Sequence, residues 1–212
     1  MAQEGTQPQP DQLYTVDEYF SLEAVSDVRH EYVAGEMVAM GGASPKHNRI
    51  TANLARELGN ALRGKECEPF VSDMRVKTRE DYRYPDVVVV CEGAQFEIIK
   101  GLETLVNPTV IIEVLSKSSE ADDRGDKFFE YRSIVSLKDY LLISQDKMRV
   151  EHYTRQPNDE WILHHDVTEP DGEITIQSIG CQLKLTDLYE RVEFPPPSQL
   201  RSVKTEGGQG EA

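Results

Sequence analysis

The sequence predicts an α/β fold, a mixed central β-sheet flanked by helices, with an added N-terminal helix and β-hairpin. Three observations predict it. Tyr84–Val90 and Thr109–Ser116 are short runs rich in β-branched residues, bounded by proline on one side and polar residues on the other, as buried strands are. Ser44–Arg63 carries an apolar stripe at helical spacing, and Ser119–Ser133 opens on a capping signal. Helical and strand patterns alternate along the chain, which sets helices against a sheet.

Thr15 followed by Glu18 has the spacing of a capping box and opens a short helix whose apolar face is Val16, Tyr19, Phe20 and Ala24. Arg29–Met40 alternates on either side of Ala34–Gly35, the pattern of a β-hairpin. Glu31 lies on its first strand, where an ordinary exposed residue is the plain alternative to a site role, and His30 points to the opposite face. Ser44 and Pro45 give the next helix its N-cap and first position. The stripe Ile50, Leu54, Leu58 and Ala61 is extended by His47 in the first turn, a place that suits a packed histidine as well as a site histidine.

Phe70–Thr78 alternates as a half-exposed strand containing Asp73, and Asp86 and Glu113 then stand within apolar strands, with a connection of mixed character over 92–107. Asp123, Lys127 and Tyr131 fall at four-residue steps on one helical face. Lys127 then either points back toward the sheet or forms a surface pair with Asp123. Strands follow over Leu137–Ser144, Met148–Arg155, Glu160–Val167 and Glu173–Ile179, with a last helix or turn from Thr186. Trp161 is edge packing or a subunit contact.

A chain of 212 residues has room for one domain with a real core, read here as 13–192. The segments 1–12 and 193–212, rich in Pro, Gly, Gln and Ser, read as disordered tails. Thirty-eight acidic against 23 basic residues give a net charge of -15, which argues against tight nonspecific adhesion to nucleic acid or anionic membranes. Lys46–Arg83 is locally basic, either a polyanion path or a solvated helix face. Cys67, Cys91 and Cys181 show no C-x-x-C spacing, so neither a disulfide framework nor a zinc site is indicated and a reducing compartment fits. With no apolar h-region at the N-terminus and no run of spanning length, the sequence predicts a cytoplasmic protein without a membrane contact.

Two carboxylates in apolar surroundings need a shared counter-charge, and a divalent cation is the simplest one. Asp86, Glu113 and a nearby lysine are the parts list of metal-assisted phosphodiester hydrolysis. Pro85-Asp86 and Glu113 match a PD…E-x-K signature, except that Leu115 stands at the lysine position. The order His30-Glu31-Tyr32-Val33-Ala34-Gly35-Glu36, His47, Tyr84–Val89, Ile112–Ser116 and Asp123–Tyr131 resembles the Uma-two family of restriction-endonuclease-like proteins, over about residues 13–192. Lys117 replaces a common proline, and 134–140 lacks the usual glycine.

The resemblance implies a restriction-endonuclease-like fold of the PD-(D/E)XK superfamily and a DNA endonuclease using Mg²⁺ or Mn²⁺. It also implies a lysine migrated to the following helix, where Lys127 stands, and Glu31, His47, Asp86 and Glu113 in the site, with Asp86 and Glu113 as metal ligands. The superfamily habit of cutting two strands with two sites implies a homodimer or larger assembly. The alternative is a noncatalytic binding or assembly module on a nuclease scaffold.

Overall fold

The apolar runs become the middle of a six-stranded sheet in the computed structural model of the chain, which describes Pro8 and residues 12–194. Helix α1 (Val16–Glu23) leads into strands β1 (His30–Val33) and β2 (Glu36–Ala39), helix α2 (Pro45–Ala61), and strands β3 (Cys67–Val71), β4 (Val76–Lys77), β5 (Tyr82–Arg83) and β6 (Val87–Cys91). Strands β7 (Phe96–Ile99), β8 (Leu102–Leu105) and β9 (Val110–Leu115) come next, then helices α3 (Glu120–Arg124) and α4 (Asp126–Tyr131). Strands β10 (Asp139–Ser144), β11 (Val150–Arg155), β12 (Trp161–Val167), β13 (Glu173–Ile176) and β14 (Cys181–Lys184) precede helix α5 (Leu185–Leu188).

The central sheet has the order β12-β11-β10-β9-β6-β3. It is mixed, since β9 and β10 run parallel and the other neighbours antiparallel. All six residues of β9 are buried because both faces are covered, which is why its sequence runs apolar without alternation. One face packs Val87, Val89, Ile112 and Leu141 against Ile50 and Leu54 of α2. The other packs Val88, Ile111, Leu115 and Leu142 against Phe128 and Tyr131 of α4. Glu113, between Ile111 and Leu115, shares this second face.

The predicted hairpin forms, with Ala34 at φ 50° and Gly35 at φ 91°, the positive values a tight two-residue turn demands. It extends into a second six-stranded sheet, β2-β1-β5-β4-β8-β7, covered at one end by α1 and a cluster of Tyr14, Tyr19, Phe20, Tyr32 and Tyr82. This sheet departs from expectation in two places. The strand predicted over Phe70–Thr78 breaks at Ser72, where φ is 65°; the chain changes sheet, Asp73 stays outside any strand, and Arg75 is buried against Tyr84 and Thr104. The connection predicted over 92–107 holds the hairpin β7–β8, whose outward Phe96 and Ile98 leave little polar alternation to read.

The helix predicted over Ser119–Ser133 is divided at Gly125, whose φ and ψ are -108° and -105°. A Cβ there would stand 3.0 Å from the Ala121 carbonyl oxygen. Ser119 does not cap the first helix with its side chain, which bonds to Ser116 instead.

The cysteine reading is corrected as well. Cys67 and Cys91 form a disulfide, facing each other at the ends of β3 and β6, while Cys181 is free and buried. A cross-strand pair 24 residues apart has no sequence spacing that announces it. The case for a reducing compartment loses its support. Of the predicted tails, residues 1–7, 9–11 and 195–212 lie outside the described ones; Phe194, placed in the second tail, packs against Tyr189. Among the described residues no helix is long and apolar enough to cross a membrane.

Candidate active site

Asp86 and Glu113 face each other where β6 begins beside β9, because Val87 pairs with Ile112. Side chains of each strand accept from the backbone of the other. Asp86 Oδ2 accepts the Val114 N–H at 2.8 Å, and the Asp86 N–H is 3.3 Å from Glu113 Oε2. Glu113 Oε1 accepts the Tyr131 hydroxyl at 3.0 Å and meets Lys127 Nζ at 3.0 Å, so both α4 side chains do point to the sheet. Lys127 also lies 3.4 Å from Asp123 Oδ1 and 3.5 Å from Glu31 Oε1.

Glu31 joins the group through β1. Its Oε1 accepts the Tyr84 N–H at 3.0 Å and its Oε2 meets Arg83 at 3.0 Å, while His30 turns away to Glu23, as alternation requires. His47 comes from α2, with Nε2 3.1 Å from Asp86 Oδ2 and a buried Nδ1 that takes no hydrogen bond. Five predicted residues therefore converge: Glu31, His47, Asp86, Glu113 and Lys127. Arg83 was counted only among basic residues. It is buried, holds Glu130 through two bonds of 2.8 Å and also touches Glu31 and Asp122. Its signal was an arginine between Tyr82 and Tyr84, directly before Pro85-Asp86.

Negative charge is in excess here: Glu31, Glu113 and Asp123 share Lys127, and Asp86 has His47. Burial pushes the Glu113 carboxyl up to about 8, helped by Asp123 and Asp86 and opposed by Lys127. Burial also works against the charge on Lys127, yet Glu113, Glu31 and Asp123 outweigh it and hold the ammonium above its usual range. The same contest raises His47, where the bond to Asp86 and the charges of Asp86 and Asp123 overcome desolvation. In Glu31 the pull of Lys127 and Arg83 exceeds burial, so its carboxyl stays low.

A cation would relieve that excess, and the donor set suits one. Asp86 Oδ1 takes no hydrogen bond from the described residues, and Glu113 Oε2 takes only the long one from Asp86. No group of three His, Cys, Asp or Glu among the described residues is arranged to hold a metal. Two carboxylates suffice for Mg²⁺, which keeps several waters and takes substrate phosphate oxygens. The side chains of Asp86 and His47 are 23% and 15% exposed, so the site opens at the surface. Two depressions, of about 910 and 810 Å³, lie elsewhere, around Arg79, Asn107 and Lys138 and around Phe129 and Trp161. Neither includes a carboxylate of the Asp86–Glu113 pair, and the chemistry of the buried charges outweighs their size.

Residues 16–186 match the family model described as Uma2: Putative restriction endonuclease. The chain belongs to the Uma2 family. Two Synechocystis proteins are similar to this Uma2 chain. The uncharacterized protein sll1609 is 40% identical over 71% of this chain and 86% of its own length. The uncharacterized protein slr1290 is 32% identical over 84% of this chain and 92% of its own. A crystal structure titled as a putative nuclease belonging to DUF820, from Anabaena variabilis, superposes with a TM-score of 0.66 at 20% identity, covering 82% of this chain and 97% of that one. The Uma2 chain thus has the restriction-endonuclease-like fold, its central sheet accompanied by the second sheet and α1.

Proposed function

We propose that this Uma2 protein is a metal-dependent endonuclease that hydrolyses DNA phosphodiester bonds. The observation that carries the reading is Lys127 Nζ at 3.0 Å from Glu113, beside Asp86, at one end of the central sheet. Asp86 and Glu113 would hold Mg²⁺ or Mn²⁺, which lowers the pKa of a bound water and offsets charge on the phosphate. Lys127 places a further positive charge against the phosphate oxygens in the transition state. Tyr131 orients Glu113, His47 orients Asp86, and Glu31 holds Lys127 together with Arg83. The partly exposed Asp86 and His47 leave the site within reach of a polymer backbone.

Part of the basic segment Lys46–Arg83 is turned away from a substrate. Arg75 and Arg83 are buried, and Arg56 and Lys77 are paired with carboxylates. Arg49, Arg63, Lys65 and Arg79 remain exposed and are the residues of that segment that phosphates can reach. Plasmid nicking by the wild-type chain with Mg²⁺, with Mn²⁺ and with EDTA tests the reading. Nicking with either metal and none with EDTA is expected; no cleavage of any DNA under these conditions would leave the noncatalytic module in its place.

A further inference from the structure

Ser44 ties the start of α2 to the sheet that carries Glu113. Its hydroxyl donates to Gln145 Oε1 at 2.5 Å and accepts the His47 N–H at 3.1 Å. Gln145 directly follows β10, where Leu142 pairs with Glu113 and Ser144 with Leu115. Its side chain is buried, so the acceptor is fixed to the strands that position the Glu113 carboxylate.

The other side-chain ties of that end of the helix, Lys46 over the Phe194 ring and Arg49 to the Arg191 carbonyl, run to residues 191–194 and not to the central sheet. Residues 38–45 are exposed, no heavy atom lies within 4 Å of where a Cβ would stand on Gly41 or Gly42, and the first fully buried residue of α2 is Ile50. His47 has one side-chain anchor, Asp86 Oδ2, since its Nδ1 takes no hydrogen bond. The ring can meet Asp86 squarely only if the first turn of α2 is held in place.

We propose that Gln145 is a positioning residue for the active site: acting through Ser44, it sets the first turn of α2 so that His47 holds the Asp86 carboxylate. Its effect on turnover rests on the nuclease reading; its effect on His47 does not. Because Ser44 donates the hydrogen, position 145 must present an acceptor. Gln145→Glu keeps one, whereas Gln145→Met keeps the length and shape without it.

The test records the imidazole nitrogen signals of His47 by NMR, at a pH where the ring is neutral, in the wild type and both variants. The wild type should show a single tautomer with the proton on Nε2, donated to Asp86. Gln145→Met should show a mixture of tautomers and lose about ten- to a hundredfold in kcat with KM for DNA nearly unchanged, as displacement of a positioned group does. Gln145→Glu should restore both. Ser44→Gly, which a helix N-cap tolerates, should give the Gln145→Met signature from the other end of the bond. A His47 spectrum in Gln145→Met and Ser44→Gly identical to the wild type overturns the proposal, whether or not the protein cleaves DNA. A mixed tautomer in a protein that cleaves nothing would uphold the positioning role and count against the nuclease reading alone.

Discussion

Glu113 and Arg83 are the residues whose burial demands most of their surroundings. With its pKa raised by burial, Glu113 binds a proton more tightly in the folded chain than in the unfolded one. Its contribution to stability is therefore full below about pH 4.5 and is lost as pH rises through about 8. Glu113→Gln copies the protonated form. In EDTA, its melting temperature should gain on that of the wild type between pH 5 and pH 8, and Mg²⁺ should raise the wild type alone. Thermal unfolding at the two pH values checks this, and a constant difference would show that Glu113 stays ionised. Arg83 has a 3% exposed side chain clamped to Glu130 and Glu31. Removing one partner of a buried pair costs about 3–5 kcal/mol, so Arg83→Ala should lose about that much in urea unfolding. Arg83→Lys should recover only part, since an ammonium cannot reproduce the two bonds to Glu130.

At the scale of elements, the joint between α3 and α4 decides where Lys127 points. Lys127 lies two residues after Gly125, where a Cβ would press on the Ala121 carbonyl oxygen at 3.0 Å. Gly125→Ala should lower both the melting temperature and the cleavage rate, while a variant with wild-type activity would show that α4 can shift without moving the amine. The disulfide staples β3 to β6, and the Ser72 N–H just beyond β3 bonds to the Asp86 carbonyl. Closing a loop of this length contributes about 3 kcal/mol, so reduction, or Cys67→Ser, should lower stability by about that amount.

What the sequence disclosed among these elements follows from how local each signal is. The strands of Asp86 and Glu113, the capped start of α2 and the hairpin at Ala34–Gly35 depend on neighbours a few residues away, and all three are legible. The four-residue steps put Asp123, Lys127 and Tyr131 on one helical face but leave a turn toward the sheet and a surface pair with Asp123 both open. The Cys67–Cys91 pairing, the Arg83 clamp and the Ser44–Gln145 bond join residues 24, 47 and 101 positions apart, and no periodicity encodes them. The break at Ser72 was hidden because alternation continues through it while the chain changes sheets.

For the whole molecule, net charge and edge strands set the expectations. A chain of charge -15 should bind DNA weakly, with a shallow dependence of affinity on salt, corresponding to few phosphate contacts. Fluorescence anisotropy over a salt series measures that slope. A second copy is expected for double-strand cleavage, and exposed Phe129 and Ile162 lie near one edge of the central sheet. Trp161 itself packs on Phe128 beneath Arg155, so it serves as edge packing. Light scattering should give a dimer mass; a monomer would favour single-strand nicking.

The most direct measurement pairs single-turnover DNA cleavage with Mn²⁺ titration for the wild type, Asp86→Ala and Lys127→Ala. Lys127 touches Glu113 but is not a ligand, so Lys127→Ala should bind Mn²⁺ nearly as the wild type does and lose cleavage, whereas Asp86→Ala should lose both. Cleavage by Lys127→Ala at the wild-type rate, or Mn²⁺ bound unchanged by Asp86→Ala, would contradict a metal site at Asp86 and Glu113 served by the lysine of α4.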